Sequence, residues 1–427
     1  MKPLRVAVLV DLYLDAEAGG HVKCWQRFAE AAVGLEDLLD LTVFFLGSTP
    51  GTESLSPNVR YRRLPPRLGT RALGLNSGAG HTDLAGWHPA LAEELRGRLD
   101  LNQATSGFAF ARTALKLQAQ GGAPCLNSLH TDVVRFTRIY AADILRAWLP
   151  SEGLQRWVID GLQVPERASR YLERQLNHLL RQSPHVFAAN PEDLAATASL
   201  LGAGRVSHLR RGIEPARFSP SLRDRAWLQA RFGIAPATTV LLFAGRVDAS
   251  KRPSLVADIG LSLRAEGLDV QVCIAGEGAE RAVLQSRLGP ALVAPGVLAQ
   301  DELARLMASS DVFVFPSETE TIGNVAIEAK ACGLPVVVAA HGAVRQTVIT
   351  PGVDGFLVAG DALPAWLDVV RPLVVDPALR AEVSAASLQS AAAWPDWRRV
   401  LVEDLVPVWQ RWARHPGARV WSRSLRA

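Results

Sequence analysis

Short apolar runs of strand length alternate with longer amphipathic stretches along almost the whole chain, and no other feature constrains the fold as strongly. Runs such as Leu4–Val10 and Val240–Ala244 are rich in β-branched residues, and stretches with helical spacing, such as Arg167–Arg181, lie between them. Strands that alternate with helices are typical of βαβ units, in which parallel strands form a sheet covered by helices on both faces. The sequence therefore predicts an α/β protein built from doubly wound parallel sheets.

The predicted strands fall into two groups, which indicates two domains. A chain of 427 residues is too long for one ordinary core, and domains of about 200 residues are expected. The first group comprises Leu4–Val10, Leu41–Leu46, Val59–Leu64, Leu99–Gln103, Cys125–Leu129, Val186–Ala189 and Val206–Leu209, and the second Val240–Ala244, Val270–Ala275, Val312–Phe315, Pro335–Ala339 and Gly355–Val358. We therefore place an N-terminal domain at 1–212, a proline-containing linker at 213–238 and a C-terminal domain at 239–392. Residues 393–427 carry an aromatic-rich helix pattern that either crosses back to the first domain or packs on its own domain.

Composition and cysteine usage indicate a cytoplasmic globular protein. The chain is 48% hydrophobic and 21% charged, as in well-packed globular proteins. It contains no apolar run of transmembrane length, and its first apolar run is too short for a signal peptide. The four cysteines, Cys24, Cys125, Cys273 and Cys332, are far apart and form no CxxC pair. This spacing argues against a zinc site or disulfide framework and fits buried thiols in a reducing compartment.

The positive charge of the chain is concentrated in its first half. The formal net charge is +4, too small to indicate nucleic-acid binding. Residues 1–220 hold 25 Lys and Arg against 21 Asp and Glu, whereas residues 221–427 hold 21 of each. The excess is densest in Val59–Arg71, where five arginines stand without an acid: Arg60, Arg62, Arg63, Arg67 and Arg71. Either this is a solvated strand and loop, or it is a surface that meets anionic lipid or a phosphorylated acceptor.

A basic loop follows the first strand of the second half. Leu241–Pro253 reads LLFAGRVDASKRP, so a buried strand ends at Gly245 and a loop with Arg246 and Lys251 leads to a helix that begins at Pro253. Two cations after the carboxyl end of a strand, beside a helix N-terminus, suit a pyrophosphate. The loop is therefore a candidate phosphate site.

A second strand–loop–helix segment, Phe315–Pro335, reads FPSETETIGNVAIEAKACGLP. Glu320 is predicted at the mouth of the helix and Glu328 inside it. Carboxylates accept hydrogen bonds from hydroxyl groups, so these two residues suit sugar and ribose hydroxyls. The helix start, Thr321, Ile322, Gly323, Asn324 and Val325, offers backbone N–H groups that suit phosphate. The segment is therefore a candidate site for a sugar nucleotide.

The two segments together resemble retaining glycosyltransferase family 4. The resemblance rests on Glu-x7-Glu followed by EAKACGLPVVV, on GRVDASKRP, and on IAGEG, ASSDVFVFPS and GVDGFLV, and it covers essentially the whole second domain. In the first half, Ala18–His21 (AGGH) is similar to the family's glycine turn, and Ser128–Asp132 (SLHTD) to its His-Thr motif. Ala188–Glu192 and Leu209–Pro220 are similar to its later segments.

The resemblance implies a GT-B architecture, with two Rossmann-like domains facing a cleft, the acceptor on the first and the nucleotide sugar on the second. The donor would be a UDP- or GDP-linked hexose, transferred with retention. Catalytic roles would fall to His130, Arg246, Lys251 and Glu320. Donor-binding roles would fall to Gly19, Gly20, Gly245, Gly276, Gly278, Gly296, Val297, Thr321, Ile322, Gly323, Asn324, Val325 and Glu328. No general base is apparent and no DxD-type metal motif lies in a fitting place, so neither a metal nor a cofactor is expected.

The chain departs from the family pattern at positions that leave the donor sugar and the acceptor open. Lys330 stands where an apolar residue, often Met, is usual, and Glu214 where Asp is usual. His341-Gly342 replaces a common Gly-Gly, and Gln346 lies near a frequent acidic residue. The acceptor could be a glycolipid, a cell-envelope glycan or a soluble small molecule.

Three other functions are compatible with paired Rossmann-like domains. A nicotinamide dehydrogenase is disfavoured because the loop after the first strand, DLYLDAEAGG, lacks GxGxxG. A non-catalytic sugar-nucleotide binder would keep the motifs of the second domain but would not need His130 or Gly20. A glycogen-phosphorylase-like enzyme would need a pyridoxal-binding lysine context, which the sequence does not show.

Overall fold

The computed structural model describes residues 2–15, 18–73, 81–97, 99–130, 133–317, 323–340 and 349–413. Of these, residues 2–210 and 398–413 form one compact unit and residues 211–397 form another. Each unit is built around one sheet, as the two groups of apolar runs predict.

Within the described residues the first unit has eight strands, and all seven strands predicted for this half are among them. They are β1 (Leu4–Tyr13), β2 (Leu39–Leu46), β3 (Gly51–Ser56), β4 (Val59–Leu64), β5 (Leu101–Ala104), β6 (Cys125–Leu129), β7 (Val186–Ala188) and β8 (Val206–His208). Their order is β3-β4-β2-β1-β5-β6-β7-β8, with only β3 antiparallel to its neighbour. The sequence did not predict β3, because this edge strand reads GTESLS, is largely exposed and has no apolar run.

Helices accompany this sheet. They are α1 (Gly20–Ala32), α2 (Pro89–Leu95), α3 (Ala109–Ala119), α4 (Val133–Trp148), α5 (Glu152–Arg156), α6 (Val164–Gln182) and α7 (Pro191–Leu201). Of these, α1, α2 and α3 bury apolar residues. Val6 to Val10 of the central strand β1 are fully buried. Phe110 and Ala114 of α3 join Leu9 of β1 and Leu91 of α2 in one core.

The described part of the second unit has six parallel strands, including all five that the sequence predicts for it. They are β9 (Thr239–Ala244), β10 (Val270–Ala275), β11 (Leu292–Gly296), β12 (Val312–Phe315), β13 (Val336–Ala339) and β14 (Phe356–Val358), in the order β11-β10-β9-β12-β13-β14. The helices are α8 (Arg225–Phe232), α9 (Pro253–Ala265), α10 (Arg281–Leu288), α11 (Gln300–Ser309), α12 (Asn324–Ala331), α13 (Leu363–Val375) and α14 (Pro377–Ala392). The strand order reverses between β9 and β12, so this is the topological switch point, where open α/β sheets bind ligands.

Residues 213–238, predicted as a linker, are part of the second unit. Arg223 and Arg225 of this segment bind the same buried carboxylate, Asp311, at 2.9 and 3.0 Å. Asp311 also accepts from the backbone N–H of Val240 at 2.8 Å. The prolines indicated an irregular path, but the partner that fixes this path lies far along the chain.

The end of the described chain packs on the first unit. Helix α15 (Trp397–Val400), a π-helical turn (Leu401–Leu405) and α16 (Val406–Ala413) follow one another there. Trp409 is fully buried, and its indole N–H donates to Gln103 Oε1 at 3.1 Å. Asp404 and Glu403 bind Arg210 at 2.6 and 2.7 Å.

Two further findings concern helix hydropathy and the thiols. Among the described helices, none combines the length and the apolar character that a membrane span requires. All four cysteines are buried free thiols, and burial raises the pKa of Cys125, Cys273 and Cys332 to about 12.

Candidate functional site

The loop after β9 brings the two predicted phosphate-binding cations to the switch point of the second unit. Arg246 Nη1 lies 3.0 Å from Asp248 Oδ2, and both side chains are 24% exposed. The side chain of Lys251 is buried, and its Nζ lies 5.9 Å from the centre of the Phe315 ring on β12. The loop therefore places the positive charges of Arg246 and Lys251 between β9 and β12.

The predicted donor-binding glycines of this unit have a structural role that the sequence did not reveal. A Cβ on Gly276 would lie 1.8 Å from the carbonyl oxygen of Gly245, and one on Gly278 would lie 2.3 Å from that of Val247. Their absence of side chains lets the loops after β9 and β10 pair directly, with Val247 N–H donating to Glu277 at 2.9 Å. These glycines therefore shape the loop that carries Arg246 and Lys251.

Helix α12 begins with an open N-terminus at the same end of the sheet. Its N-cap, Gly323, has a φ of 77° and provides no side-chain cap, so the first N–H groups of the helix point outward. Asn324 Oδ1 is buried and has no hydrogen-bond partner in the described part of the chain. Glu328 is half-buried one turn further along. Glu320, Thr321 and Ile322 lie outside the described residues.

The N-termini of helices α9 and α12 lie where they favour the binding of an anion. Helices α9 and α12 both begin just after the neighbouring strands β9 and β12. Helix N-termini carry partial positive charge, and Arg246 and Lys251 add two full charges. Gly296 and Val297, two of the predicted donor-binding residues, lie at the end of β11 on the edge of the sheet, and Val297 is 51% exposed.

The first unit assembles a histidine site at the carboxyl end of β6. The His130 side chain is buried, and its Nε2 receives a hydrogen bond from Trp25 Nε1 at 3.2 Å and lies 2.8 Å from Ser128 Oγ. The ring of His21 stacks on it, with centroids 4.6 Å apart and an interplanar angle of 19°. Gly19 and Gly20 begin α1, which has no side-chain cap.

Trp25 and His21 are the site residues that the sequence did not single out for a role. They lie four residues apart, so they face the same side of α1. This spacing, directly after a Gly-Gly turn, was the available signal. In the structure α1 lies against the end of β6, so both side chains contact His130.

Three arginines of the cluster after β3 are paired, which its local sequence did not show. Arg60 bonds to Asp40, Arg62 to Glu94 at 2.6 Å, and Arg71 to Asp15 at 2.5 Å. Arg71 also lies over the Tyr13 ring at 3.9 Å. The acids come from elsewhere in the chain, so the local charge of this segment is partly compensated, whereas the net excess of residues 1–220 is unchanged.

No cluster of three or more His, Cys, Asp or Glu side chains able to hold a metal ion occurs within the described ranges.

Comparison with known proteins finds a family model that matches most of the second unit. Residues 238–376 match the family described as glycosyl transferases group 1. The matched residues contain the loop with Arg246 and Lys251 and the start of α12, so the family match and the switch-point geometry concern the same part of the chain.

The chain is similar to D-inositol 3-phosphate glycosyltransferase 1 of Catenulispora acidiphila. The two are 34% identical over 212 residues, which is 46% of this chain and 50% of the relative. The chain thus spans about half the length of the curated relatives it matches.

Solved glycosyltransferase-related structures share the fold over almost the whole chain. Sucrose-phosphate synthase of Thermosynechococcus elongatus superposes with a TM-score of 0.72 at 19% identity, covering 96% of this chain and all of that one. HepE of Anabaena, solved with UDP and glucose, gives a TM-score of 0.66 at 16% identity, covering 95% and 99%. The chain therefore has the predicted GT-B fold, in which each half contributes one Rossmann-like unit.

Proposed function

We propose that the chain is a glycosyltransferase that moves a hexose from a UDP- or GDP-sugar to a hydroxyl group, with retention at the anomeric carbon. One observation carries the proposal. The loop of Arg246 and Lys251 and the open start of α12 follow neighbouring strands at the switch point, in residues that match a glycosyltransferase family model.

The charges suit a leaving nucleoside diphosphate. As the glycosidic bond breaks, negative charge grows on the diphosphate oxygen. Lys251 is only 8% exposed, so its charge acts through a medium that screens it less than water does. Arg246 is held by Asp248, which fixes the direction of its guanidinium. Groups fixed in this way stabilise developing charge without reorganising during the reaction.

The transfer step needs no protein base in this proposal. The acceptor oxygen bonds to the anomeric carbon on the face from which the diphosphate leaves. The acceptor proton passes to the departing diphosphate oxygen, so charge and atoms balance. Glu320 would bind donor-sugar hydroxyls and Glu328 the ribose. Arg246 and Lys251 supply the charge that a metal ion supplies elsewhere, so we propose that the reaction is metal-independent.

The acceptor we favour carries a phosphate. The curated relatives are named for D-inositol 3-phosphate, and the net positive charge of the chain lies in residues 1–220. Glycolipids and cell-envelope glycans stay as the alternative acceptors. The buried free thiols suit a reducing, cytoplasmic location.

A nucleotide-release assay tests the proposal. The purified chain is incubated with UDP-glucose, UDP-N-acetylglucosamine and GDP-mannose, with and without inositol phosphates. We expect one donor to release its nucleotide, faster with acceptor, and at the same rate in EDTA. Donor binding without release would favour the non-catalytic binder, and loss of release in EDTA would overturn metal independence.

Membrane contact through Arg60, Arg62, Arg63 and Arg67 stays a separate prediction, and the ion pairs of Arg60 and Arg62 weigh against it. Co-sedimentation with anionic vesicles at low salt tests it. If wild type and a four-Arg-to-Gln variant sediment equally, these arginines do not bind membrane.

A further inference from the structure

We infer that Trp25, Ser128 and His21 position His130 as a neutral imidazole with its proton on Nδ1, so that His130 is a hydrogen-bond donor and not a general base. The inference rests on the proposed function for its catalytic meaning. The protonation pattern itself follows from contacts within the first unit and can be tested without any activity.

The indole of Trp25 decides which ring nitrogen carries the proton. An indole N–H can donate but cannot accept. Trp25 Nε1 lies 3.2 Å from His130 Nε2, and both side chains are buried. His130 Nε2 must therefore present its lone pair to Trp25, because a proton on Nε2 would set two N–H groups against each other. In a neutral ring the proton then resides on Nδ1.

Ser128 is compatible with this assignment but does not decide it. Its hydroxyl lies 2.8 Å from His130 Nε2 and 3.3 Å from the carbonyl oxygen of Ala104. A hydroxyl carries one proton, so with Nε2 unprotonated the closer contact takes that proton and the Ala104 carbonyl does not. The Trp25 indole alone therefore fixes the tautomer, and Ser128 holds the position of Nε2.

His21 fixes the plane of the ring. It is the second residue of α1, and its imidazole stacks on His130 at 4.6 Å and 19°. Trp25, one turn later, meets the edge of His130 with ring centroids 5.7 Å apart. One helical face of α1 therefore fixes both the tilt and the tautomer of His130.

This arrangement assigns a chemical role to His130. A general base needs an unprotonated nitrogen directed at its substrate, whereas the unprotonated Nε2 is directed at Trp25 and Ser128. The only hydrogen-bonding role of Nδ1–H is donation. The donor role of Nδ1–H agrees with a transfer step that uses no protein base.

The tautomer can be read by NMR. Two-bond ¹H–¹⁵N spectra of histidine-labelled, ligand-free protein distinguish the two tautomers, and the signal that disappears in His130→Gln belongs to His130. We expect the Nδ1–H pattern in wild type and a shift toward Nε2–H in Trp25→Phe/Ser128→Ala. Trp157→Phe, the same change at a side chain 59% exposed, is the matched control and should leave the pattern unchanged. An Nε2–H pattern in wild type would overturn the inference.

Steady-state kinetics, with the donor that the nucleotide-release assay identifies, then test whether these residues position His130. Loss of one hydrogen bond should lower kcat about 2- to 10-fold in Ser128→Ala with little change in donor KM. His21→Ala should lower kcat similarly, and His21→Phe, which restores a stacked ring, should recover most of it. Equal kcat in wild type, Ser128→Ala and His21→Ala would contradict positioning. If no donor reacts although the Nδ1–H pattern is present, the proposed function fails and the tautomer assignment holds.

Discussion

Lys330 Nζ lies 2.7 Å from Asp354 Oδ2 in the second unit, with only 1% and 6% of the two side chains exposed. Ser390 Oγ accepts from the same ammonium at 2.9 Å, and Asp354 Oδ1 accepts from Thr350 N–H at 2.7 Å. The pair joins α12, which begins the candidate donor site, to the turn before β14, and Ser390 adds a contact from α14. It explains how a lysine is accommodated where related sequences usually carry an apolar residue.

Removal of one member of this ion pair should lower the free energy of unfolding substantially. Asp354→Ala leaves a buried ammonium without its counter-ion, and removal of one partner of such a pair costs about 3–5 kcal/mol. The double variant Lys330→Met/Asp354→Leu removes both charges and should be much closer to wild type. Urea unfolding of the three proteins measures this. A double variant as unstable as Asp354→Ala would contradict the explanation.

The same pair predicts acid sensitivity. Burial alone would raise the pKa of Asp354, but hydrogen bonds from Lys330, Ser390 and Thr350 hold that pKa below its usual 3.8. The folded state therefore binds the proton less well than the unfolded state. The stabilisation is present above pH 3.8 and is lost as pH falls through the lower, folded pKa. Unfolding measured from pH 5 to pH 2.5 should show a smaller decline in Lys330→Met/Asp354→Leu.

Asp11 in the first unit should make stability depend on pH in the opposite direction. It is fully buried in β1, and burial raises its pKa to about 8, although Phe110 N–H donates to Oδ2 at 2.8 Å. Between the unfolded pKa of 3.8 and about 8 the folded state binds more protons. Stability should therefore fall as pH rises, by at most about 1.4 kcal/mol per pH unit for this group.

Asp11→Asn removes that titration and should be more stable than wild type at pH 8, with a smaller difference at pH 5. Urea midpoints at both pH values give the comparison, and Asp37→Asn, the same change at an exposed carboxylate, is the control. An equal shift at both pH values would show that Asp11 is not a buried acid of raised pKa.

Lys251 should be essential for transfer but dispensable for folding. Lys251→Ala removes one charge-stabilising contact and should lower kcat about 10²- to 10³-fold. Glu320→Ala, outside the described residues, is predicted to abolish transfer as well. Lys116→Ala, whose Nζ donates to the Gly86 carbonyl at 3.0 Å on the surface, should keep full activity. Circular dichroism checks folding, and full turnover by Lys251→Ala would remove the pyrophosphate assignment.

Trp409 should stabilise the first unit from the end of the described chain. Trp409→Ala removes a fully buried ring and the 3.1 Å bond to Gln103, and should cost about 3–5 kcal/mol of unfolding free energy. Trp409→Phe keeps most of the packing and should cost about 1 kcal/mol through the lost bond. Trp148→Ala, at a side chain 68% exposed, should change stability by less than about 0.5 kcal/mol. A Trp409→Ala cost no larger than that of Trp148→Ala would show that the segment contributes little.

The sequence by itself determined the α/β class, all but two strands of the sheets, and the positions of the loops that carry Arg246, Lys251 and His130. It could do so because apolar periodicity and strand–loop–helix order are local properties of the chain. Strand β3 was missed because an exposed edge strand has no apolar run, and β11 (LVAPG) because its short apolar run includes a proline and a glycine.

The tertiary structure decided which charged and polar groups meet. Asp311 lies 86 residues from Arg225 along the chain, Trp25 lies 105 from His130, and Glu94 lies 32 from Arg62. No local pattern encodes such pairs, because the strand order sets which loop ends become neighbours. The sequence thus specified the candidate groups, whereas the fold set their pairing, burial and protonation, on which their chemistry depends.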